Sequence, residues 1–362
     1  MDTLRRYLLP GFVFQSVVIA GGYGTGRELA EYFLSHGPYG GLLAMGLATV
    51  VWSAVCIVSY EFARVFGAFD YRSFFQRLLG RFWVAFEILY IALMMIVMAV
   101  IAAAAGTILE ETFGLPYLVG VIGIMTLVGL LVFGGNETIE RAFASWSGVL
   151  YMVYVLFFIG CLALFGSEIR DSLTSGITEG SWVLGGFEYA GYNLAVIPAV
   201  LITIRHHRNR KDTFISGLLT GPLAMLPALL FFIAIAGEYP DIVGEAVPVN
   251  HMLELLGSRT FQILFQIMLF GTLVETGAGM IHSVNERIAQ AYGERSREFP
   301  PRTRAIAAVA ILALGALISQ FGLTPLIARG YGTLTYGYLA VFVAPILTWG
   351  IILIRREYAS GD

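Results

Sequence analysis

The chain has 362 residues, of which 57% are hydrophobic and only 13% are charged, and its mean hydropathy is +0.77. A net charge of −3 is too small to predict a nucleic-acid partner or attraction to an anionic surface. Apolar runs of roughly 20 residues recur along the chain, and each is long enough to cross ~30 Å of hydrocarbon. The composition therefore excludes a water-soluble protein and predicts an integral membrane protein.

Hydropathy predicts about ten transmembrane helices, because lipid offers no hydrogen-bond partner to backbone groups outside a helix. The predicted spans are 8–35, 38–66, 82–111, 116–135, 143–166, 182–205, 212–237, 260–291, 303–320 and 325–354. We therefore predict an all-α membrane fold in which residues 1–362 form a single transmembrane domain.

The first span reads "VVIAGGYGTGRELAEYF", an apolar helix interrupted by glycines. These glycines wind around a helix instead of lining one face, and charged residues follow them, which favours an unwound segment over simple close packing of small residues. We predict that the unwound backbone binds a solute through Gly21, Gly22, Tyr23, Gly24, Thr25 and Gly26.

Charged residues follow the glycines of span one on its outer half. Arg27, Glu28 and Glu31, together with Arg329 at the outer start of span ten, predict an outer charge gate. The alternative interpretation is an ordinary solvated helix end.

Span six repeats the pattern with "GGFEYAGYNLAVIPAV". Glu188 lies among aromatic residues there, an arrangement that can recognise an amine by charge and cation–π attraction. Aromatic residues at the outer membrane interface give the same pattern, so this alternative stays open. The predicted substrate-binding residues of this span are Phe187, Glu188, Tyr189, Tyr192 and Asn193.

The two interrupted spans stand five helices apart and therefore cross the membrane in opposite directions. This spacing predicts an inverted repeat of five plus five helices, with broken helices one and six and a binding site where they face each other. The predicted repeats cover about residues 5–170 and about 177–356.

Span eight contains a carboxylate near its centre, in the stretch "GTLVETGAGMIHSVNERI". Glu275 would cost several kcal/mol if it were ionised and unpaired at membrane depth, so a functional role is the first hypothesis. A structural glutamate bonded to a neighbouring helix is the alternative.

Three stretches resemble one known family. "AGGYGTGRELAEYF" resembles the first-helix motif of the YkvI-like bacterial membrane proteins, and "GYNLAVIPAV" and "ETGAGMIHSVNERI" are similar to that family's other landmarks. The resemblance covers essentially the whole chain. It implies the amino-acid/polyamine/organocation transporter superfamily with the leucine-transporter fold, a substrate site between helices one and six, and often a sodium site between helices one and eight.

The resemblance also implies an ion site. In the leucine-transporter fold this part of helix eight supplies sodium ligands, and Glu275 falls at or beside those positions. The predicted ligands are the carbonyl oxygens of Ala20 and Tyr23 with Thr272, Glu275 and Thr276. A proton carried by Glu275, whose pKa desolvation would raise, is the alternative to sodium.

The basic residues predict the orientation in the membrane. With the N-terminus in the cytoplasm, 18 of the chain's 22 Lys and Arg residues fall on the inner side, which predicts that both termini are cytoplasmic. They are Arg5, Arg6, Arg64, Arg72, Arg77, Arg81, Arg141, Arg205, Arg208, Arg210, Lys211, Arg287, Arg295, Arg297, Arg302, Arg304, Arg355 and Arg356. The resemblance implies a bacterial cytoplasmic (inner) membrane.

These features favour a secondary transporter over an enzyme, because Glu188 and Glu275 alone do not establish a nucleophile–base pair or a metal set. We predict cation-coupled symport of a small organic solute such as an amino acid or amine, with sodium favoured over a proton. The alternatives are a channel and a transporter-fold sensor without coupled transport. The predicted partners are the solute, the coupling cation and the lipid bilayer, with no cofactor other than the sodium ion.

Overall fold

The computed structural model describes residues 2–19, 21–133, 136–293 and 301–360, and every regular element in these ranges is a helix. Numbered in chain order, the helices are α1 (Asp2–Tyr7), α2 (Leu9–Val18), α3 (Gly21–Gly24), α4 (Arg27–Tyr32), α5 (Pro38–Phe66), α6 (Tyr71–Leu79), α7 (Trp83–Phe113), α8 (Tyr117–Phe133), α9 (Asn136–Thr174), α10 (Trp182–Asn193), α11 (Ile197–Ile204), α12 (Arg210–Ile235), α13 (Pro248–Leu255), α14 (Arg259–Gly293), α15 (Pro301–Ile318) and α16 (Leu323–Ser360).

The membrane-spanning character of the helices agrees with the hydropathy prediction. Seven helical segments of the described chain are long and apolar enough to cross a membrane, and α2, α8 and the segment Ala305–Phe321 are shorter apolar helices. Together these segments correspond to the ten predicted spans, and α5 has the predicted bounds of span two. The protein is therefore a multi-pass membrane protein.

The first span is broken, as predicted. Helix α2 ends at Val18, α3 is a single short turn, and Gly26 has a φ of +79° immediately before α4 begins. A residue with a Cβ atom adopts this left-handed conformation only at a cost of about 1–2 kcal/mol, so glycine suits the position. Ala20 lies outside the described residues.

The irregular turn of span six lies elsewhere than predicted. The glycines of this span are inside the regular helix α10, and the chain changes to a 3-10 turn only at Leu194–Val196. Pro198 follows in the first turn of α11, where its missing N–H interrupts the helical hydrogen bonds. Span six is therefore interrupted after its glycines, and not at the glycines as the sequence pattern predicted.

Close packing explains the glycines of span six instead. A Cβ atom on Gly186 would lie 2.8 Å from the Ala44 carbonyl oxygen of α5, and one on Gly185 would collide with the Tyr32 carbonyl oxygen. Only glycine lets α10 approach its neighbours this closely, which is the role that small residues have in many membrane helix pairs.

A second glycine pair packs α12 against α5. A Cβ atom on Gly217 would lie 2.6 Å from the Ile57 Cα atom, and one on Gly221 would collide with Ser53. The four-residue spacing puts both glycines on one face of α12, so the two backbones pack in direct contact. This helix pair supports the α10 segment, which also packs on α5.

The helices alternate in direction, so the loops collect at two ends. At one end Arg6 approaches Asp212 at 3.9 Å, and Arg287 pairs with Glu87 at 3.1 Å. We call this end, which carries α1, α6, the 205–209 loop and the C-terminal turns of α14 and α16, the basic end. The opposite, acidic end carries α13 and the loops 175–181 and 236–247, with Glu110, Glu111, Glu168, Asp171, Glu179, Glu238, Asp241 and Glu245.

Candidate functional site

A cavity of about 340 Å³ lies beside the break in helix one, in the basic-end half of the bundle. It is enclosed by α2, α7, α9, α11 and α14. The lining residues are Ser16, Val17, Ile19, Tyr90, Leu150, Tyr151, Ala199, Thr272, Glu275, Thr276, Gly279 and Met280. Helices one, six and eight therefore meet at one cavity.

Glu275 lines this cavity at the middle of α14 and is half-buried. No hydrogen bond or ion pair joins its carboxylate to another described residue. The Thr272 hydroxyl donates to the Met268 carbonyl oxygen at 3.0 Å, and the Thr276 hydroxyl donates to the Thr272 carbonyl oxygen at 2.9 Å. Because each hydroxyl proton is used within the helix, the oxygen lone pairs remain available to a cation.

Tyr23 does not share this cavity. Its carbonyl oxygen accepts a hydrogen bond from the Gly26 N–H at 2.9 Å, and its ring packs against Tyr154 and Phe231 with centroid distances of 6.5 and 6.3 Å. The structure thus brings together Thr272, Glu275 and Thr276 of the predicted ion ligands but leaves Tyr23 apart from them.

The backbone at the break of helix one forms its own hydrogen bonds. The Thr25 hydroxyl donates to the Gly22 carbonyl oxygen at 2.8 Å and accepts from the Arg27 N–H at 3.3 Å. The Val249 N–H at the start of α13 donates to the Thr25 carbonyl oxygen at 3.1 Å. In this conformation these groups are already bonded, and solute binding by residues 21–26 remains a prediction.

Glu28 lies inside the bundle, whereas we predicted it in an outer gate. The residue is only 2% exposed, and its carboxylate accepts a hydrogen bond from the Tyr192 hydroxyl at 2.6 Å. Around it is a set of rings that we call the tyrosine cluster, consisting of Tyr32, Tyr189, Tyr192 and Tyr331. Tyr192 and Tyr331 stack with centroids 4.6 Å apart. The tyrosine cluster, together with buried Glu28, is a feature that sequence reasoning missed.

Glu188 and Phe187 lie on the other face of α10, so their predicted place in the central site is wrong. Glu188 accepts a hydrogen bond from the Tyr336 hydroxyl of α16 at 3.0 Å, and Phe187 is 38% exposed. The helix period explains this outcome. Gly186 packs on α5, and Phe187 and Glu188 follow it at steps of about 100° each, which turns their side chains away from this contact. Tyr189, Tyr192 and Asn193 are buried on the inner face.

Arg27 and Glu31 form an ion pair at the acidic end. Arg27 is 3% exposed, and its guanidinium donates to the carbonyl oxygens of Val243 and Glu245 at 2.7 and 2.8 Å and pairs with Glu31. These bonds tie α4 to the loop before α13. Arg329 is exposed, and no ion pair links it to Glu31 within the described chain. Of the four residues predicted to form the gate, Arg27 and Glu31 are therefore paired, whereas Glu28 and Arg329 do not join them. The gate itself remains a prediction.

The chain is similar to a known bacterial protein along nearly its whole length. It is 23% identical over 348 residues to the uncharacterized membrane protein YkvI of Bacillus subtilis (strain 168), which covers 93% of this chain and 94% of YkvI. This likeness confirms the resemblance that the motifs predicted. No family model matches the chain.

Three solved structures have the same fold. A Na⁺-coupled sialic acid symporter in a substrate-bound outward-open state has a TM-score of 0.55 and 15% identity, covering 92% of this chain and 78% of that one. Mhp1, a nucleobase-cation-symport-1 family transporter, matches in a closed conformation with a TM-score of 0.51 and 15% identity, covering 90% of this chain and 75% of that one. Its inward-facing conformation matches with a TM-score of 0.52 and 13% identity, covering 89% of this chain and 75% of that one. The chain therefore has the predicted leucine-transporter-like fold of inverted repeats, while the repeat bounds remain a prediction.

Proposed function

We propose that the protein is a secondary active transporter that couples the movement of a sodium ion to that of a small organic solute carrying an amino group. The observation that carries this proposal is the cavity at which helices one, six and eight meet, with the Glu275 carboxylate unpaired inside it. A carboxylate kept at membrane depth without a partner is costly, and ion pathways are a common reason for such a residue.

The ligand chemistry of the cavity favours sodium. Glu275 and the hydroxyl oxygens of Thr272 and Thr276 are hard oxygen donors within one turn of each other on α14. A proton carrier would need the carboxylate but not the flanking hydroxyls. Two proteins with the same fold, a Na⁺-coupled sialic acid symporter and a nucleobase-cation-symport-1 family transporter, support coupling to a cation.

The chemistry around Glu28 supports a solute with an amino group. Glu28 is a buried acid beside the tyrosine cluster, and no ion pair joins it to a described cationic side chain. The Tyr189 hydroxyl is buried and has no hydrogen-bond partner among the described residues. An ammonium group would gain charge attraction from Glu28 and cation–π contact with the rings.

The conformation supports alternating access. Arg27 closes the acidic end, while the cavity lies in the basic-end half of the bundle. The excess of Lys and Arg at the basic end supports a cytoplasmic position for that end and for both termini, in the bacterial inner membrane. We therefore assign the conformation to a state closed toward the outside.

Sodium-dependent stability tests the proposal. Thermal unfolding of the purified protein is measured in sodium chloride and in choline chloride at equal ionic strength. Sodium should stabilise the folded protein by a free energy that rises logarithmically with the sodium concentration. Glu275→Gln should lose this response. Glu188→Gln is the matched control, because Glu188 bonds to Tyr336 outside the cavity and its response should match the parent's.

The outcomes separate sodium from the alternatives. If sodium does not stabilise the parent protein and transport depends on pH instead, the coupling ion is a proton and not sodium. A thermal-shift screen of amino acids and amines against carboxylic acids of matched size tests the solute class. Stabilisation by the acids alone would contradict recognition by Glu28.

A further inference from the structure

Two adjoining cavities open at the basic end, away from the candidate transport site. The first, which we call the arginine cavity, has a volume of about 560 Å³ and is lined by Arg64, Arg208, Asn209, Arg210, Arg355 and Tyr358. The second, which we call the apolar groove, has a volume of about 500 Å³. Its apolar lining consists of Ile57, Val58, Phe214, Ile351 and Ile354. Arg210, Arg355 and Tyr358 line both, so the two form one continuous depression with a charged part and an apolar part.

The charge of the arginine cavity is strongly positive. Arg208, Arg210 and Arg355 are exposed, and no ion pair joins any of them to a carboxylate of the described chain. Arg64 differs, because Glu61 binds its guanidinium through two hydrogen bonds of 3.1 and 2.8 Å. The negative charge of Glu61 thus offsets the positive charge of Arg64, and the charges of the other three arginines remain available to an anion.

The same Glu61 gives the depression a fixed framework. Besides Arg64, its carboxylate accepts hydrogen bonds from Thr213 of α12 at 2.6 Å and from Tyr358 of α16. These bonds join α5, α12 and α16, the three helices that line the apolar groove. The arginines therefore surround a formed site between packed helices and not a single mobile loop.

We propose that this depression binds one anionic membrane phospholipid, with the phosphate in the arginine cavity and an acyl chain in the apolar groove. Guanidinium groups match phosphate oxygens through paired N–H donors, and basic pockets between membrane helices are suited to lipid headgroups. Phe214, which is 51% exposed, extends the groove over the outer surface of α12, where lipid chains lie. A free phosphate ion would use the arginines but would leave the apolar half of the depression without an occupant.

Native mass spectrometry of the purified full-length protein tests the proposal with two lipids of identical chains. Dioleoyl-phosphatidylglycerol should bind the parent more tightly than dioleoyl-phosphatidylcholine, with one molecule bound first. The triple variant R208Q/R210Q/R355Q should bind phosphatidylglycerol on the order of 100-fold more weakly, about fivefold for each arginine. Its affinity for phosphatidylcholine should fall by less, because the choline charge offsets the charge of the phosphate, and an unchanged far-ultraviolet circular dichroism spectrum shows that the variant is folded. R355Q alone should weaken phosphatidylglycerol binding about fivefold.

A matched control removes the same charge from the same end. R205Q/R302Q/R356Q changes three exposed arginines that line neither cavity, and it should bind phosphatidylglycerol as the parent does. Equal weakening in both triple variants would overturn the proposal in favour of general attraction to a basic surface. Equal affinity of the parent for the two lipids would also overturn it.

Two further probes separate a lipid from free phosphate. Dihexanoyl-phosphatidylglycerol keeps the headgroup but has chains too short to fill the groove. Because fewer methylene groups are buried, it should bind the parent on the order of tenfold more weakly than the dioleoyl form. Inorganic phosphate at millimolar concentration should not displace the dioleoyl lipid. Equal binding of the short lipid, or complete displacement by phosphate, would assign the site to a free phosphate group and overturn the lipid proposal.

Discussion

The substitution Gly26→Ala probes the break in helix one, on which the candidate site depends. Gly26 has a φ of +79°, and alanine in this left-handed conformation costs about 1–2 kcal/mol. The added Cβ atom would also lie 2.8 Å from the Phe231 Cε1 atom and 3.2 Å from the Pro248 Cβ atom. Phe231 is itself stacked on Phe157 with centroids 5.2 Å apart, so the ring has little room to move.

Overpacking of this kind costs about 1–3 kcal/mol, so the free energy of unfolding should fall by about 2–5 kcal/mol in total. The assay is a titration from mild detergent into sodium dodecyl sulfate, followed by far-ultraviolet circular dichroism. Gly46→Ala is the matched control, since Gly46 lies in α5 with no atom near its added Cβ. This control should be neutral or more stable by about 0.5–1 kcal/mol. If Gly26→Ala is as stable as Gly46→Ala, helix one is not broken at Gly26 and the reasoning fails.

Two further predictions concern the tyrosine cluster and the basic end. Tyr192→Phe removes the 2.6 Å hydrogen bond to buried Glu28 and should lower the free energy of unfolding by about 1–3 kcal/mol in the same titration; an unchanged value would contradict the buried bond. Burial lowers the pKa of His207 below its usual value, and this effect outweighs the opposite effects of the Arg6 carbonyl oxygen, 2.7 Å from Nε2, and of the Asp212 charge. Since the folded pKa lies below the unfolded one, stability is complete above the unfolded pKa and should decrease as the pH falls from about 7 to about 5. His207→Gln should reduce this decrease, and an identical pH profile in the variant would exclude His207 as its source.

Hydropathy and glycine placement predicted the parts of the fold that depend on local sequence. The bounds of α5 follow from an apolar run that begins after Gly37 and ends at Gly67, both of which have positive φ angles. The break in span one follows from glycines next to charged residues. These features need no knowledge of how the helices pack.

The inward-facing residues could not be predicted in the same way, because they depend on helix phase. Arg27 and Glu28 are adjacent, yet Arg27 bonds to the loop before α13 and Glu28 faces the tyrosine cluster, since successive residues of α4 differ by about 100°. The glycines of span six predicted unwinding, but their packing on α5 instead turned Glu188 away from the centre.

The tyrosine cluster depends on contacts between distant parts of the chain. Tyr331 stacks on Tyr192 and ends a π-helical turn, Leu326–Tyr331, which shifts the register of α16 relative to an ordinary helix. Local sequence patterns contain no signal for this shift. Burial of Glu28 by these rings therefore emerges only from the three-dimensional structure.

Solute uptake by Glu275→Gln in proteoliposomes tests the central claim most directly. The probe is the radiolabelled amino acid or amine that gives the largest thermal stabilisation of the parent, and uptake is measured under an inward sodium gradient and as exchange without a gradient. Because the neutral amide keeps the cavity but cannot take part in charge-coupled cation binding, the variant should exchange the solute without concentrating it. Glu188→Gln should concentrate the solute as the parent does. If Glu275→Gln also concentrates it to the parent's level, under a sodium or a proton gradient, Glu275 is not the coupling residue and the account is contradicted.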